Sequence, residues 1–315
     1  MRKPIRFIPD DTKIAFMRLS RFGFFFSGIL CVASVLAFVF IGLTYGVDFK
    51  GGTVLVIRTE QAADLDALRT TINGLGLGEA ELQEFGSPRE VQIRLPTIEG
   101  GDAAQQAVIV KIKEALGPKV EYLSVDVVGP KVSSELTQQG IMAVVIAIIG
   151  ILLYIWFRFE WQFCLGTVVS ILHDVMLSIG LFCIIGLEFN LQIIAAILTI
   201  IGYSLNDTVI VFDRIREFMR KYKTMQFADL IDFSINSVLP RTLITAVSTL
   251  LALTSLYIFG GEVLRGFSLA MIWGVLIGTY SSIFIAAPIL ILLGAKREAL
   301  TRAADPKMQP VPARP

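Results

Sequence analysis

One acidic residue, Asp207, lies inside a long apolar run, five residues before the run ends at Phe212. A carboxylate inside a membrane helix costs at least roughly 2.5–3.5 kcal/mol on insertion scales, so it is a functional-site hypothesis by default. Thr199, Tyr203 and Asn206 precede it at spacings that place all four on one helical face. Reversible protonation is the chemistry available to this carboxylate, which predicts proton or ion handling.

Asp207 is six residues before Asp213 at the predicted cytoplasmic end, roughly 9 Å deep at 1.5 Å per residue. At that depth the neutral acid is favoured over the anion unless a cation lies nearby. The candidate cation is Arg241, which follows Pro240 at the start of the fifth apolar run. Two other interpretations stay open: Asp207 as a structural hydrogen-bonding acid, and Arg241 as an ordinary positive residue at a cytoplasmic helix start.

An adjacent His173 and Asp174 lie near the middle of the third apolar run, with Ser170 and Ser178 on the same side. Ionisable residues at that depth are costly, so they mark either a function or a specific contact. One interpretation is a hydrogen-bonded lock between helices, and the other is a proton relay. The sequence does not decide between them.

The sixth apolar run carries small residues at every fourth position. Such a ridge lets helix backbones approach closely, so it predicts a tight packing interface within the bundle or with a partner subunit. The ridge consists of Gly266, Ala270, Gly274, Gly278, Ser282 and Ala286.

Composition excludes several function classes. Only 17% of the 315 residues are charged, 54% are hydrophobic, and the mean hydropathy is +0.69, which is typical of a membrane protein. Because His173 is the only histidine, a multi-histidine metal site is excluded, and no protease, P-loop or esterase motif occurs. No basic cluster is interleaved with aromatic residues, so nucleic-acid binding is not expected. Cys31, Cys164 and Cys183 lie in or beside apolar runs and predict packing rather than disulfides.

The apolar residues collect into six runs of roughly 20 residues, the length that crosses a hydrocarbon core about 30 Å thick. We therefore predict a polytopic α-helical membrane protein lying in the bilayer. The predicted segments are an N-terminus 1–21, transmembrane helices 22–45, 137–157, 162–186, 190–212, 242–260 and 266–293, a polar domain 46–136, a loop 213–241 and a disordered tail 294–315. Within the loop, 227–239 is predicted to form an interfacial amphipathic helix.

Loop charges predict the orientation. Lys and Arg concentrate in the N-terminus, the loop 213–241 and the tail, whereas the loop after the third helix has none. Since positive loops stay in the cytoplasm, both termini are expected there. The acidic segment 46–136 is then periplasmic, and its strand and helix patterns follow the order βαββαβ, which predicts a ferredoxin-like sandwich.

Several stretches together resemble the SecF family, the smaller membrane subunits of the bacterial SecD–SecF export complex. The resemblance runs from about residue 20 to residue 293. The matching stretches are Val47–Thr53, Gly129–Ser133, Arg158–Trp161, His173–Val175, Gly202–Glu217, Ser234–Asn236 with Pro240–Thr242, and Gly278–Ser282.

This resemblance implies half of an RND-type transporter in the inner membrane, completed by six helices of SecD. It further implies SecYEG, YajC and an unfolded translocating polypeptide as partners, and no catalytic activity. The proton-motive force would drive late-stage export, with H⁺ as the coupling ion, Na⁺ as an open alternative and no other cofactor. Asp207 and Arg241 would carry the proton, assisted by the neighbouring candidates Tyr203, Asn206, His173 and Asp174. The glycine-containing junctions Gly51–Gly52 and Gly129–Pro130 would act as hinges for the periplasmic domain.

Three alternatives remain at this stage. An RND-type half-transporter for lipids or small molecules would need a larger external domain with an apolar channel. An intramembrane aspartyl protease would need Asp174 and Asp207 facing each other at one depth. A scaffold that only holds SecD would tolerate neutralisation of both acids.

Overall fold

The computed structural model describes residues 12–98 and 101–294. The predicted tail therefore lies outside the described residues except for Gly294, as do residues 1–11. The elements are α1 Phe16–Phe40, α2 Val47–Lys50, β1 Gly52–Thr59, α3 Leu65–Asn73, β2 Glu81–Phe85, β3 Ser87–Leu95, α4 Gly101–Leu116, β4 Val120–Val128, α5 Pro130–Arg158, α6 Trp161–Ile185, α7 Leu191–Lys221, α8 Phe227–Phe259, α9 Gly261–Ser281, a π-helical turn Ser282–Ala286, and α10 Ala287–Leu292.

Within the described residues, six helices are long and apolar enough to cross a membrane. They are α1, α5, α6, α7, α8 and the continuous stretch Leu264–Leu292 that α9, the π-helical turn and α10 form together. A small antiparallel sheet domain is inserted between the first two. The predicted fold class, a polytopic helical membrane protein with an inserted α+β domain, is confirmed.

The helices extend past the apolar runs that identified them. α5 begins at Pro130, where proline is pre-organised for the first helical position. Only residues 222–226 separate α7 from α8, so most of the predicted loop 213–241 is helical. The predicted interfacial helix 227–239 is the first part of α8, which continues through Pro240. It does so because Leu230, Ile231 and other apolar residues of this part pack against the end of α7 in one buried cluster.

The inserted domain, hereafter the outer domain (residues 46–129), has the strand order β2-β3-β1-β4 with every pair antiparallel. That order is the ferredoxin-like arrangement expected from a βαββαβ sequence. The core of this domain contains fully buried side chains from β1, β3, α3 and α4. They are Leu55, Ile57, Ile72, Ile93 and Ile112. The space between the sheet and its two helices is therefore filled.

The outer domain is attached to the turn between α6 and α7. Glu188 of that turn accepts from Arg94 Nη2 at 2.5 Å and from Gln92 Nε2 at 3.2 Å. The Asp48 carboxylate accepts from the backbone N–H of Leu191, the first residue of α7, at 2.9 Å. This end of the bundle is called the domain end. The opposite end, where α1 and α8 begin and α5 and α7 end, is called the basic end.

Burial differs strongly among the spanning helices. The stretch Leu264–Leu292 is the most covered, with 61% of its apolar window buried, whereas α5 and α8 have only 11% buried. Apolar faces of α5 and α8 are therefore left for lipid or for a partner subunit. The small-residue ridge explains the contrast: the backbone at Gly274 lies directly against Ile200 of α7, and Gly278 lies against Ser204.

We expect Gly274→Val to lower the free energy of unfolding by at least about 1–3 kcal/mol, because the added Cβ would overlap Ile200 and force α7 and α9 apart. Denaturation of the purified chain in detergent micelles measures the loss. Gly150→Val is the matched control, since a Cβ at Gly150 meets open space. Equal losses in both variants would show that helix propensity, not close packing, sets the effect.

Candidate functional site

Asp207 is buried where α7, α8 and α9 meet. Asp207 is only 1% exposed, although an aspartate side chain in water is charged at neutral pH. Thr279 Oγ1 of α9 lies 3.4 Å from Oδ2, a long hydrogen bond, and Oδ1 has no partner within the described residues. The carboxylate is therefore held on one side only.

The space beside Asp207 is a narrow cavity with mostly apolar walls. Val211 of α7, Ile235 and Thr242 of α8, and Ser282 of the π-helical turn are among its lining residues. It leaves no room for a whole water molecule, and the hydroxyl of Thr242 also has no partner in the described part of the chain. In this arrangement of the helices, Asp207 is closed off from solvent.

Arg241 is exposed, and no ion pair joins it to Asp207 within the described residues. α8 places Arg241 one residue before Thr242, which does line the cavity. Arg241 itself does not line the cavity, so pairing with Asp207 would require α8 to move.

Two of the three other predicted members of this face, Tyr203 and Asn206, are placed differently from Asp207. The Tyr203 hydroxyl lies near Thr249 and Thr279 without making a hydrogen bond of regular geometry. Asn206 is exposed and points away from the Asp207 cavity. It lies on an uncovered side of α7, because residues one apart on a helix are separated by about 100°.

His173 and Asp174 form a second buried cluster on α6. Asp174 is completely buried, and its Oδ1 lies 2.9 Å from His173 Nδ1. Its Oδ2 accepts from Ser204 Oγ of α7 at 2.5 Å and from Ser281 Oγ of α9 at 2.8 Å. Both oxygens of Asp174 are therefore satisfied, in contrast to those of Asp207, whereas His173 Nε2 has no partner in the described chain.

One short segment of the last helix, Gly278–Ser282, reaches both acids. Thr279 contacts Asp207, and Ser281 donates to Asp174 two residues later. Between them, the Tyr280 hydroxyl donates to the Gly23 carbonyl of α1 at 3.0 Å, and its ring lies 6.2 Å from that of His173. Sequence reasoning treated Gly278 and Ser282 only as packing residues. The signal that it missed was the run of four consecutive hydroxyl side chains in an otherwise apolar helix.

The helix changes type at the last residue of this segment. Ser282 opens the π-helical turn, and its hydroxyl contacts Thr208 Oγ1 at 2.9 Å. Such turns are rare in proteins as a whole, but those that occur often lie at functional sites. They widen a helix locally without ending it. Here the turn begins at the last residue of the segment that joins the two acids.

The remaining ridge and junction residues are placed as follows. Ala270 is fully buried, and Gly266 lies close to Leu187. Gly51 and Gly52 have φ of +70° and +123°, conformations that favour glycine, and a Cβ on Gly51 would lie 2.6 Å from Thr97 Oγ1. Gly129 and Pro130 form the start of α5 in ordinary backbone conformations. Within the described residues, no group of three or more His, Cys, Asp or Glu side chains could hold a metal ion.

Comparison with known proteins gives consistent matches. The sequence model described as "Protein export membrane protein SecD/SecF, C-terminal" matches residues 108–296, and the one described as "SecD/SecF GG Motif" matches residues 36–63. The protein translocase subunit SecF of Cereibacter sphaeroides is 43% identical over 93% of this chain and 93% of its own length. The same subunit of Rickettsia felis is 42% identical over 93% of this chain and 96% of its own length. The SecDF subunit of Brucella abortus is 43% identical over 94% of this chain but 39% of its own length.

Two solved structures also match. The crystal structure of SecDF from Thermus thermophilus, described as a translocon-associated membrane protein, aligns with 94% of this chain and 40% of its own at a TM-score of 0.84 and 32% identity. A crystal structure of SecDF in a super-membrane-facing form aligns with 97% of this chain and 42% of its own. Its TM-score is 0.69 and its identity is also 32%. By sequence and by fold over nearly its whole length, this chain belongs to the SecF branch of the SecD/SecF family of protein export membrane proteins.

Proposed function

We propose that this chain is an accessory subunit of the Sec machinery, which works with SecD and uses the proton-motive force to promote late-stage polypeptide export through SecYEG. The observation that carries the proposal is the Asp207 carboxylate, buried in the bundle with one oxygen unpartnered. YajC and an unfolded translocating polypeptide are further proposed partners. The coupling ion is H⁺, and no other cofactor or enzymatic step is needed.

A partnership with SecD is supported by the length of the relatives. The Brucella abortus SecDF subunit is more than twice as long as the part that this chain matches. The uncovered apolar faces of α5 and α8 leave room for a second set of helices beside this one. A complete RND-type transporter would then consist of this chain and SecD together.

In the proposed orientation, the chain spans a bacterial inner membrane and its basic end lies on the cytoplasmic side. Arg158, Arg216, Arg220 and Lys221 lie at that end, which is where positive residues remain during insertion. The outer domain, at the opposite end, is then periplasmic, where a polypeptide leaves the channel. Both termini share the cytoplasmic side because the number of spanning helices is even.

The proposed coupling step follows from the surroundings of Asp207. With no ion pair and no room for water, the present arrangement fits the protonated, neutral acid. Loss of the proton would leave a buried charge that the cavity cannot stabilise. α8 must then repack to bring Arg241 or water to the carboxylate. One charge crossing about 100 mV supplies about 2.3 kcal/mol for such a step.

Movement at the site can reach the outer domain through α7. This helix carries Asp207, and the backbone N–H of its first residue, Leu191, donates to Asp48 of the outer domain. Gly51 and Gly52 follow Asp48 closely, so we propose them as one hinge and Gly129–Pro130 as the other. The two solved SecDF structures support a mobile family fold: identity is 32% for both, yet the TM-scores are 0.84 and 0.69, so sequence divergence does not explain the difference.

His173 and Asp174 belong to the same proposed relay. Ser204 connects Asp174 to α7 one turn before Asp207, and Ser281 connects it to the α9 segment that carries Thr279. A movement of α7 or α9 after a change of charge at Asp207 would therefore alter the hydrogen bonds that Ser204 and Ser281 donate to Asp174. Tyr203 is proposed to assist on the cavity side. Asn206, which is exposed, would act at the surface that faces SecD.

The alternative functions fit less well. A half-transporter for lipids or small molecules needs an apolar channel through the outer domain, and the core of this domain is filled by fully buried side chains. An aspartyl protease needs two acids facing one substrate. Here both oxygens of Asp174 are engaged by His173, Ser204 and Ser281, and Asp207 faces a separate cavity on the side of α8.

We expect Asp207→Asn to abolish the part of polypeptide export that depends on the proton gradient, because the amide cannot gain and lose a proton. Export by membrane vesicles with and without a gradient measures this part, after SecD is confirmed to co-purify. Asp66→Asn, the same change at an exposed acid of α3, is the control. Unchanged export in Asp207→Asn would move coupling to SecD and leave this chain as its structural half.

Asp174→Asn separates a relay from a lock. The amide oxygen can accept from Ser204 and Ser281 and its N–H₂ can donate to His173, so we expect stability within about 1 kcal/mol of wild type. Under the proposed relay, gradient-dependent export is lost despite normal stability. Asp174→Leu removes the acceptor of His173 and Ser204 and one of the acceptors of Ser281, so we expect it to lower the free energy of unfolding by at least about 3 kcal/mol. A stable Asp174→Asn protein with full coupling would identify the cluster as a lock only.

A further inference from the structure

The basic end carries a second cavity, away from both buried acids, between the end of α5 and the last turns of α7. Its volume is about 460 Å³. Four of its six lining residues are basic and two are acidic, so the lining has a net charge of +2 (4 − 2). The lining consists of Arg158, Asp213, Arg216, Glu217, Arg220 and Lys221.

The positive charge of this cavity is not neutralised from within. Arg158 Nη2 pairs with Asp213 at 2.5 Å, and Glu217 pairs with Arg214 outside the cavity at 2.7 Å, so both lining acids are already engaged. No described carboxylate pairs with Arg220 or with Lys221, whose ammonium lies 5.4 Å from the centroid of the Tyr222 ring. Arg216, the remaining lining cation, pairs with Glu160 at 2.9 Å, so Arg220 and Lys221 supply the uncompensated charge.

The cavity lies at the depth of lipid headgroups. Beside Arg158, the ends of α5 and α6 expose Trp156, Phe157 and Trp161, at 67%, 85% and 57%. Exposed tryptophans at helix ends mark the membrane–water interface. A ligand in the cavity meets cations, and the exposed aromatic rings lie outside its lining, at the same end of α5 and at the start of α6. A ligand that reaches both must therefore combine a negative group with apolar chains.

We propose that this cavity binds the headgroup of an anionic phospholipid. Arg220 and Lys221 contact its phosphate, and the acyl chains run along the exposed rings of α5 and α6. Basic pockets between helices on the cytoplasmic side are suited to such headgroups. Lipid binding at this cavity depends on the membrane-spanning fold and on the charge of the cavity, and it does not require proton coupling at Asp207.

Tryptophan quenching tests the proposal with the full-length chain in nanodiscs. Brominated phosphatidylglycerol and brominated phosphatidylcholine are compared at equal bromine content, because bromine quenches only the rings that its lipid touches. We expect wild type to prefer phosphatidylglycerol and the double variant Arg220→Gln/Lys221→Gln to lose roughly tenfold of that preference. A charge-preserving exchange, Arg220→Lys/Lys221→Arg, should keep the preference and shows that a loss is not due to misfolding.

The control removes the same charge from the same end of the bundle without touching the cavity. Arg18→Gln/Arg21→Gln, two exposed residues of α1, should leave the preference within about twofold of wild type. An equal loss in both double variants would mean diffuse surface attraction and overturn the site. So would equal quenching by the two lipids in wild type, or displacement of phosphatidylglycerol by inorganic phosphate, which would identify a site for the free ion.

Discussion

The structure depends on keeping two carboxylates inside an apolar bundle. A buried carboxylate is tolerated only when protonated, paired or hydrogen-bonded, and here the hydroxyls of one helix segment supply the bonds. Ser281 serves Asp174 and Thr279 serves Asp207, so the position of α9 is fixed by both acids at once. The two acids are unequal: Asp174 has three partners, whereas one oxygen of Asp207 has none in the described chain. Rearrangement costs least at Asp207, because fewer bonds are lost there.

This constraint also bears on the contact that the outer domain makes with α7, in addition to its chain connections to α1 and α5. α7 contributes Ser204 and Asp207 to the two clusters and is covered by α9 through the glycine ridge. A helix that is held so tightly transmits a displacement along its length instead of bending. Its first residue is bonded to Asp48, and the neighbouring Glu188 is paired with Arg94 of the sheet. The sheet therefore follows the end of α7.

Much of this could be predicted because membrane burial imposes strong local rules. Six apolar runs, a buried Asp207 and a small-residue ridge are all visible as residue type and spacing. The partners of Asp174 were not predictable, because Ser204 and Ser281 lie far apart in the chain and serine is common in membrane helices for other reasons. The exposure of Asn206 and the continuity of α8 through Pro240 also escaped prediction. Periodicity assigns a residue to a face within about 100°, and hydropathy cannot detect a helix that leaves the membrane.

The contacts of the first helix carry a consequence for biogenesis. The start of α1 is held by α8, where Asp232 accepts from the Met17 N–H at 2.8 Å and the Asn236 side chain bonds both backbone groups of Ile14. Further along, the hydroxyl of Ser27 meets that of Tyr280. All these partners are synthesised more than two hundred residues later. The bonds that join α1 to α8 and α9 can therefore form only after those two helices have been synthesised. This side of the bundle closes late in insertion.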